Sequence, residues 1–219
     1  DVYKRQVLIF DIIQNKLKTS FKLKINNKII HSSNYKFTIN AIGNHNILNA
    51  TASIIAAKLN GIKNKDINNA LINYVGVKRR FSFIGKKNKS FVYDDYAHHP
   101  TEIAATLSAA KSLKNKVIVV FQPHRYTRTK ILISEFIKVL SKVDYLFLLE
   151  TYSAGEKIIK GATSKDIYSK ILKKNKNTIY LKNIGDLNKL MKPYTLHQNT
   201  IVFMGAGSIS SIAKKYLNN

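Results

Sequence analysis

The chain has 219 residues, 45% of them hydrophobic and 10% aromatic, with only three Pro. That suffices for one large core or two small ones, and is too rich in core formers for a disordered, collagenous or coiled-coil chain. Lys and Arg number 37 against 12 Asp and Glu, a net charge of +25, and the lack of any Cys excludes disulfides, thiolate metal sites and a thiol nucleophile.

The chain opens abruptly at Asp1, and residues 1–6 read as the start of a fragment that need not be native sequence. Phe21, Leu23 and Ile25 alternate with lysines, and Tyr35, Phe37 and Ile39 alternate with Lys36 and Thr38. Two strands are expected there, joined through a turn at Asn26-Asn27. A polar loop over 41–46 leads into an Ala/Ile-rich helix over 47–59 and a second helix over 64–74. After Arg80 the rhythm changes. Short apolar runs at 91–93, 117–121, 145–149, 178–181 and 200–204 read as strands, with helices over 101–113, 131–140, 165–173, 187–191 and 209–217 between them. Strand, loop and helix in that repeat predict an α/β fold with a parallel, doubly wound sheet and right-handed crossovers. Ligands of such sheets gather at the carboxyl ends of the strands. The loops at 94–100, 122–128, 151–156 and 205–208 should therefore share one rim.

A charge of +25 suggests a polyanion partner, nucleic acid above all. The lysines, however, are spread over nearly every predicted helix and loop beside equally heavy use of Asn and Ile, the mark of compositional bias rather than a binding stripe. Neither nucleic acid nor membrane is the expected partner, since no run of 18 apolar residues and no signal-peptide pattern occurs. The lack of Cys fits a reducing, cytoplasmic setting. Arginine is used sparingly. Apart from Arg5 it occurs as two close pairs, Arg79 with Arg80 and Arg125 with Arg128, as expected where a planar fork must grip a carboxylate or phosphate.

The loop Asp94-Asp95-Tyr96-Ala97-His98-His99-Pro100 admits three readings: a zinc or manganese site, a solvated turn, or a polar site in which Asp95 and His98 orient a reacting group. The loop Gln122-Pro123-His124-Arg125-Tyr126-Thr127-Arg128 sets two arginines at the entry of a predicted helix, whose N-terminus would itself favour an anion; the alternative is a solvated basic loop. Gly205-Ala206-Gly207-Ser208-Ile209-Ser210 has two glycines of a dinucleotide fingerprint, but Ser210 replaces the third and no acidic residue follows. Close strand-to-helix packing is the expected role, and an NAD site is disfavoured. No G-x-x-x-x-G-K-[ST] loop and no G-x-S-x-G elbow occurs.

Taken together, five blocks resemble the Mur ligases in order and spacing: Gly43-Asn44-His45-Asn46-Ile47-Leu48-Asn49-Ala50, Gly76-Val77-Lys78-Arg79-Arg80-Phe81, Asp94 to Glu102, Phe121 to Thr129, and Tyr152-Ser153-Ala154-Gly155-Glu156. The resemblance covers nearly the whole chain. It implies that residues 1–80 are the truncated end of the central α/β ATPase domain and 81–219 the Rossmann-like C-terminal domain that brings the amino acid. The phosphate-cradling loop and most ligands for Mg2+ would lie upstream, and the fragment alone would bind ATP poorly and lack ligase activity.

Within the family, His124-Arg125-Tyr126-Thr127-Arg128 points to the branch that joins L-alanine to UDP-N-acetylmuramate, using ATP, for peptidoglycan and cell-wall synthesis. A tripeptide-recycling relative and a basic nucleic-acid-binding module are the alternatives. By the same resemblance, His45, Asn46 and Asn49 meet the adenine and ribose side of ATP. Arg80, Asp95 and His98 are the catalytic candidates. Tyr96, Arg125 and Arg128 form the amino-acid pocket. No metal ligand is assigned to this chain, and no oligomeric state is implied.

Overall fold

A computed structural model describes residues 7–15, 18–25, 33–74 and 76–218. The chain divides into two compact units, Asp1–Gly76 and Val77–Asn219. Arg79 and Arg80, expected at the end of the first domain, thus group with the second. The cause is local bonding: the Tyr96 N–H donates to the Arg79 carbonyl, and Arg79 Nη2 donates to the Gly205 carbonyl.

In the first unit, β1 (Val7–Asn15), β2 (Lys18–Ile25) and β3 (Ser33–Ile39) form an antiparallel sheet in that order. The period-two pattern of β2 and β3 puts Phe21, Leu23, Ile25, Phe37 and Ile39 on one buried face. Against it pack Ile47, Ala50 and Ile54 of α1 (Asn44–Leu59) and Ile67 of α2 (Asn64–Asn73), spaced three and four apart as one helix face requires. Each such buried Ile, Leu or Phe side chain stabilises the unit by about 1.5–3 kcal/mol. The expected turn at Asn26-Asn27 lies outside the described residues. Strand β1 was not expected from the sequence. A bulge between Phe10 and Ile13, with Asp11 at φ +51°, breaks its alternation and leaves Ile12 and Ile13 exposed.

The second unit is a six-stranded sheet of order β4-β5-β9-β6-β7-β8. Its strands are β4 (Ser82–Lys87), β5 (Ser90–Asp95), β6 (Val117–Phe121), β7 (Tyr145–Leu149), β8 (Thr178–Leu181) and β9 (Thr200–Met204). From β5 to β8 every neighbouring pair is parallel, as expected; β4 adds an unforeseen antiparallel edge, folded back on β5 through a hairpin. Strands β6 and β9 are buried at every residue, which is why they read as apolar runs, broken only by Thr200 at the start of β9. One face packs on α7 (Leu187–Thr195) and α8 (Ile209–Asn218) through Ile118, Val120, Phe147, Ile201 and Phe203. On the other, Phe121 meets Phe136 with ring centroids 5.7 Å apart. Phe136 belongs to α5 (Ile133–Leu140), which lies between α3 (Pro100–Lys111) and α6 (Ser164–Ile171). The helix expected over 131–140 begins earlier, as the short α4 (Tyr126–Ile131), and is interrupted at Leu132.

Candidate active site

The carboxyl ends of β5, β6, β7 and β9 carry the four loops expected on one rim. Gly205 N–H donates to the Asp95 carbonyl, Gln122 N–H to Met204, Arg125 N–H to Tyr152 and Tyr152 N–H to Pro123. The loops are therefore bonded directly to one another.

At the end of β5, Asp94 and Asp95 are each only 4% exposed. Both carboxylate oxygens of Asp95 are engaged within the unit, Oδ2 accepting the Phe81 N–H at 2.7 Å and Oδ1 the Ala97 N–H at 2.6 Å. Burial raises its pKa against the opposing pull of these donors, Thr106 and the Arg80 charge. A carboxylate so committed holds the backbone on either side of the rim. Beyond it, His98 Nδ1 lies 2.9 Å from the Tyr96 carbonyl. A carbonyl can only accept, so Nδ1 carries a proton, and in the neutral ring Nε2 keeps its lone pair. Glu102 gathers the same turn, its Oε2 accepting the N–H groups of His98 and His99 and lying 3.4 Å from His98 Nδ1. Burial alone would raise the Glu102 pKa, but these donors and the nearby His98 and Arg80 charges hold it below the usual value. Pro100 and a capping box between His99 and Glu102 start α3 here.

On the neighbouring loop the His124 ring stacks on Tyr152 at 5.4 Å and lies 6.1 Å from His98. Arg128 Nη1 donates to His124 Nδ1 at 3.3 Å, so this ring holds its proton on Nε2. Burial, and then the charge of Arg128, lower the His124 pKa below its ordinary 6.5. Arg125, with φ +70° and half its side chain exposed, points no closer than 4.0 Å to Glu156. The expected anion seat at the helix entry needs correction. Helix α4 has six residues, and a carboxylate already caps it: Glu156 accepts the Thr127 N–H at 3.0 Å and its Oγ1–H at 2.6 Å. Those bonds also keep the Glu156 pKa low.

The glycine turn after β9 serves close packing, as expected. A Cβ on Gly205 would stand 2.7 Å from the Gln122 carbonyl, and one on Gly207 2.6 Å from the Tyr152 ring. Ser210 donates to Asp94 Oδ2 at 2.5 Å.

Tyr96, His98 and Arg128 are thus linked through His124, which the sequence flagged without a role, and Arg125 sits beside them on the same loop pair, bonded through its N–H to Tyr152. Arg80 lies on the same unit, exposed, beside the half-buried Arg79. His45, Asn46 and Asn49 belong to the first unit, in the opening turns of α1; Asn46 donates to the Ile42 carbonyl, and Asn49 is exposed. Glu102, Glu156 and Tyr152 were given no role by the sequence, and Arg79 was flagged only as one of an arginine pair. Of these only Glu102 had a local signal, its place three residues after the N-cap. Among the described residues no three His, Asp or Glu side chains are grouped as metal ligands would be, so the metal reading of the 94–100 loop is not supported.

Residues 79–207, more than half of the chain, match the family described as Mur ligase, glutamate ligase domain. A UDP-N-acetylmuramate–L-alanine ligase of Carboxydothermus hydrogenoformans is 41% identical over 176 residues, covering 80% of this chain and 38% of the relative. Its counterpart from Rickettsia typhi is 36% identical over 223 residues, covering 98% and 45%. Among solved structures, a UDP-N-acetylmuramate-alanine ligase from Thermotoga maritima superposes with a TM-score of 0.79 at 26% identity, over 99% of this chain and 46% of that one. The chain spans less than half the length of these relatives. With the rim geometry and these likenesses in agreement, the chain belongs to the Mur ligase family.

Proposed function

We propose that this chain supplies the amino-acid-binding part, and the end of the ATP-binding part, of a ligase that joins L-alanine to UDP-N-acetylmuramate in peptidoglycan precursor synthesis. The reading implies a cytoplasmic enzyme with three small-molecule substrates, ATP among them. The observation that carries it is the cluster of Tyr96, His98, His124, Arg125 and Arg128 on one rim, in a chain whose named relatives perform that reaction.

In this scheme the muramoyl carboxylate takes the γ-phosphoryl group of ATP and ADP leaves. The amine of alanine then attacks the acyl carbon, and inorganic phosphate departs as the amide forms. Arg125 and Arg128 hold the alanine carboxylate, fixing the amine in attack geometry. Arg128 is pre-aimed by His124, whereas Arg125 has only a loose tie to Glu156 and can turn to the ligand. His98, with Nδ1–H fixed on the Tyr96 carbonyl, offers the Nε2 lone pair to the proton the ammonium must lose. Arg80, exposed, offsets charge on the transferred phosphoryl group. Asp95 serves by fixing the backbone at Phe81 and Ala97, next to Arg80 and Tyr96. His45, Asn46 and Asn49 are assigned to the adenine and ribose side of ATP. Mg2+ would neutralise phosphate charge when bound, and the described residues hold no cluster of three His, Asp or Glu for it.

The test uses the protein that carries this chain in its natural reading frame. Phosphate release from ATP in the presence of UDP-N-acetylmuramate should require L-alanine. Release that ignores alanine, or that requires the ready-made tripeptide, overturns the reading.

A further inference from the structure

The two arginines of the Arg79-Arg80 pair look interchangeable in the sequence and are not so in the structure. We propose that Arg79 is a positioning residue for the amino-acid pocket, acting through Tyr96, and that only Arg80 is free to meet an anion. The proposal rests on the function assigned above. Arg79 touches Tyr96 twice. Its carbonyl accepts the Tyr96 N–H at 2.8 Å, and its guanidinium carbon lies 4.7 Å from the centroid of the Tyr96 ring. The same guanidinium donates from Nη2 to the Gly205 carbonyl at 2.6 Å, while Nε, buried and without a hydrogen bond, lies 3.8 Å from Asp94 Oδ2. Asp94 is in turn held by Ser210 at the start of α8. One planar cation therefore ties Tyr96 to the glycine turn and to β5, while His98 closes on the Tyr96 ring edge-on at 5.1 Å.

Lysine could not replace it. Its single ammonium cannot lie flat against a ring and donate sideways to a carbonyl at the same time. The backbone also marks the position, because Arg79 sits at φ +62°, a conformation that non-glycine residues hold only when surrounding contacts over-determine it. Arg80, by contrast, is exposed, and its backbone N–H donates to Ser82 Oγ at 3.3 Å.

The experiment measures steady-state kinetics on the complete protein in its natural reading frame, varying L-alanine and then ATP. If the unaltered protein shows no dependence on alanine, the functional reading fails and not this inference. Given that dependence, Arg79→Lys should raise the KM for L-alanine by about tenfold, between the size of an exposed and of a desolvated cation–π contact. It should leave kcat and the KM for ATP within about threefold. In a Tyr96→Leu background the same substitution should change the KM for alanine by less than about twofold, since the two residues act as one. Arg79→Ala should regain part of its alanine affinity on addition of guanidinium ion at concentrations far below denaturing, which covers the case in which the lysine variant does not fold. Additive effects of Arg79→Lys and Tyr96→Leu, a loss confined to kcat or to ATP, or no rescue by guanidinium would each overturn the proposal.

Discussion

Replacing Gly205 by Ala tests how closely the strands approach beneath the site. Gly205 has φ +150°, and a Cβ there would stand 2.7 Å from the Gln122 carbonyl, a backbone atom that cannot swing aside. Forcing a side chain into that glycine-only conformation costs about 1–3 kcal/mol, and overpacking against fixed backbone costs about 1–3 kcal/mol more. Gly155 is the control. It too has positive φ, +86°, but nothing lies within 4 Å of the added carbon, so Gly155→Ala pays only the conformational part, about 1–2 kcal/mol. The readout is amide hydrogen exchange in β6 and β9, whose fully buried central strands exchange by opening of the whole unit. A loss of about 3 kcal/mol predicts exchange more than roughly a hundredfold faster for Gly205→Ala, and about tenfold for Gly155→Ala. Acceleration below about tenfold for Gly205→Ala, or equal effects at the two positions, would show that the close approach at Gln122 is not a constraint.

Three further outcomes are expected. Because the native His124 pKa lies below 6.5, its contribution to stability is fully present above that value and fades as the pH falls below it. The thermal midpoint of the unaltered chain should thus fall more steeply toward about pH 5 than that of His124→Asn, and parallel curves would contradict the shift. Ser210→Ala removes the hydroxyl donor from the buried Asp94, whose Oδ1 already lacks a partner, and should cost about 1–3 kcal/mol in denaturant titration; a neutral result would mean the carboxylate is otherwise satisfied. Duplex DNA at physiological salt should give a flat anisotropy titration despite the charge of +25, whereas submicromolar, steeply salt-dependent binding would restore the nucleic-acid reading.

The centre of the second unit was legible because burial on both faces leaves β6, β7 and β9 as uninterrupted apolar runs of four or five residues. The edges were not. Strand β4 carries Gly85 at φ +152° and a register shift where it meets β5, and β1 carries its own bulge, so neither shows a clean period of two. The rim loops were placed correctly by following strand ends. What each side chain does there was less visible, because it depends on partners far away in the chain. Glu156 caps a helix that begins 30 residues earlier, at Tyr126. Asp95 reads like any exposed loop carboxylate until the N–H groups of Phe81 and Ala97 are seen to occupy it. Arg79 and Arg80 have the same chemistry and differ only in backbone angle and surroundings.

The bonding between the 122–128 and 151–156 segments bears on how such ligases can be re-engineered. Tyr152 exchanges backbone hydrogen bonds with Pro123 and Arg125, lies under His124, and is followed by the carboxylate that grips Thr127. Grafting the arginine segment from one relative into another would leave it without the scaffold that sets its pose. The transferable cassette is the pair of segments, and chimeras that carry both should inherit a recognition preference that single-segment swaps lose.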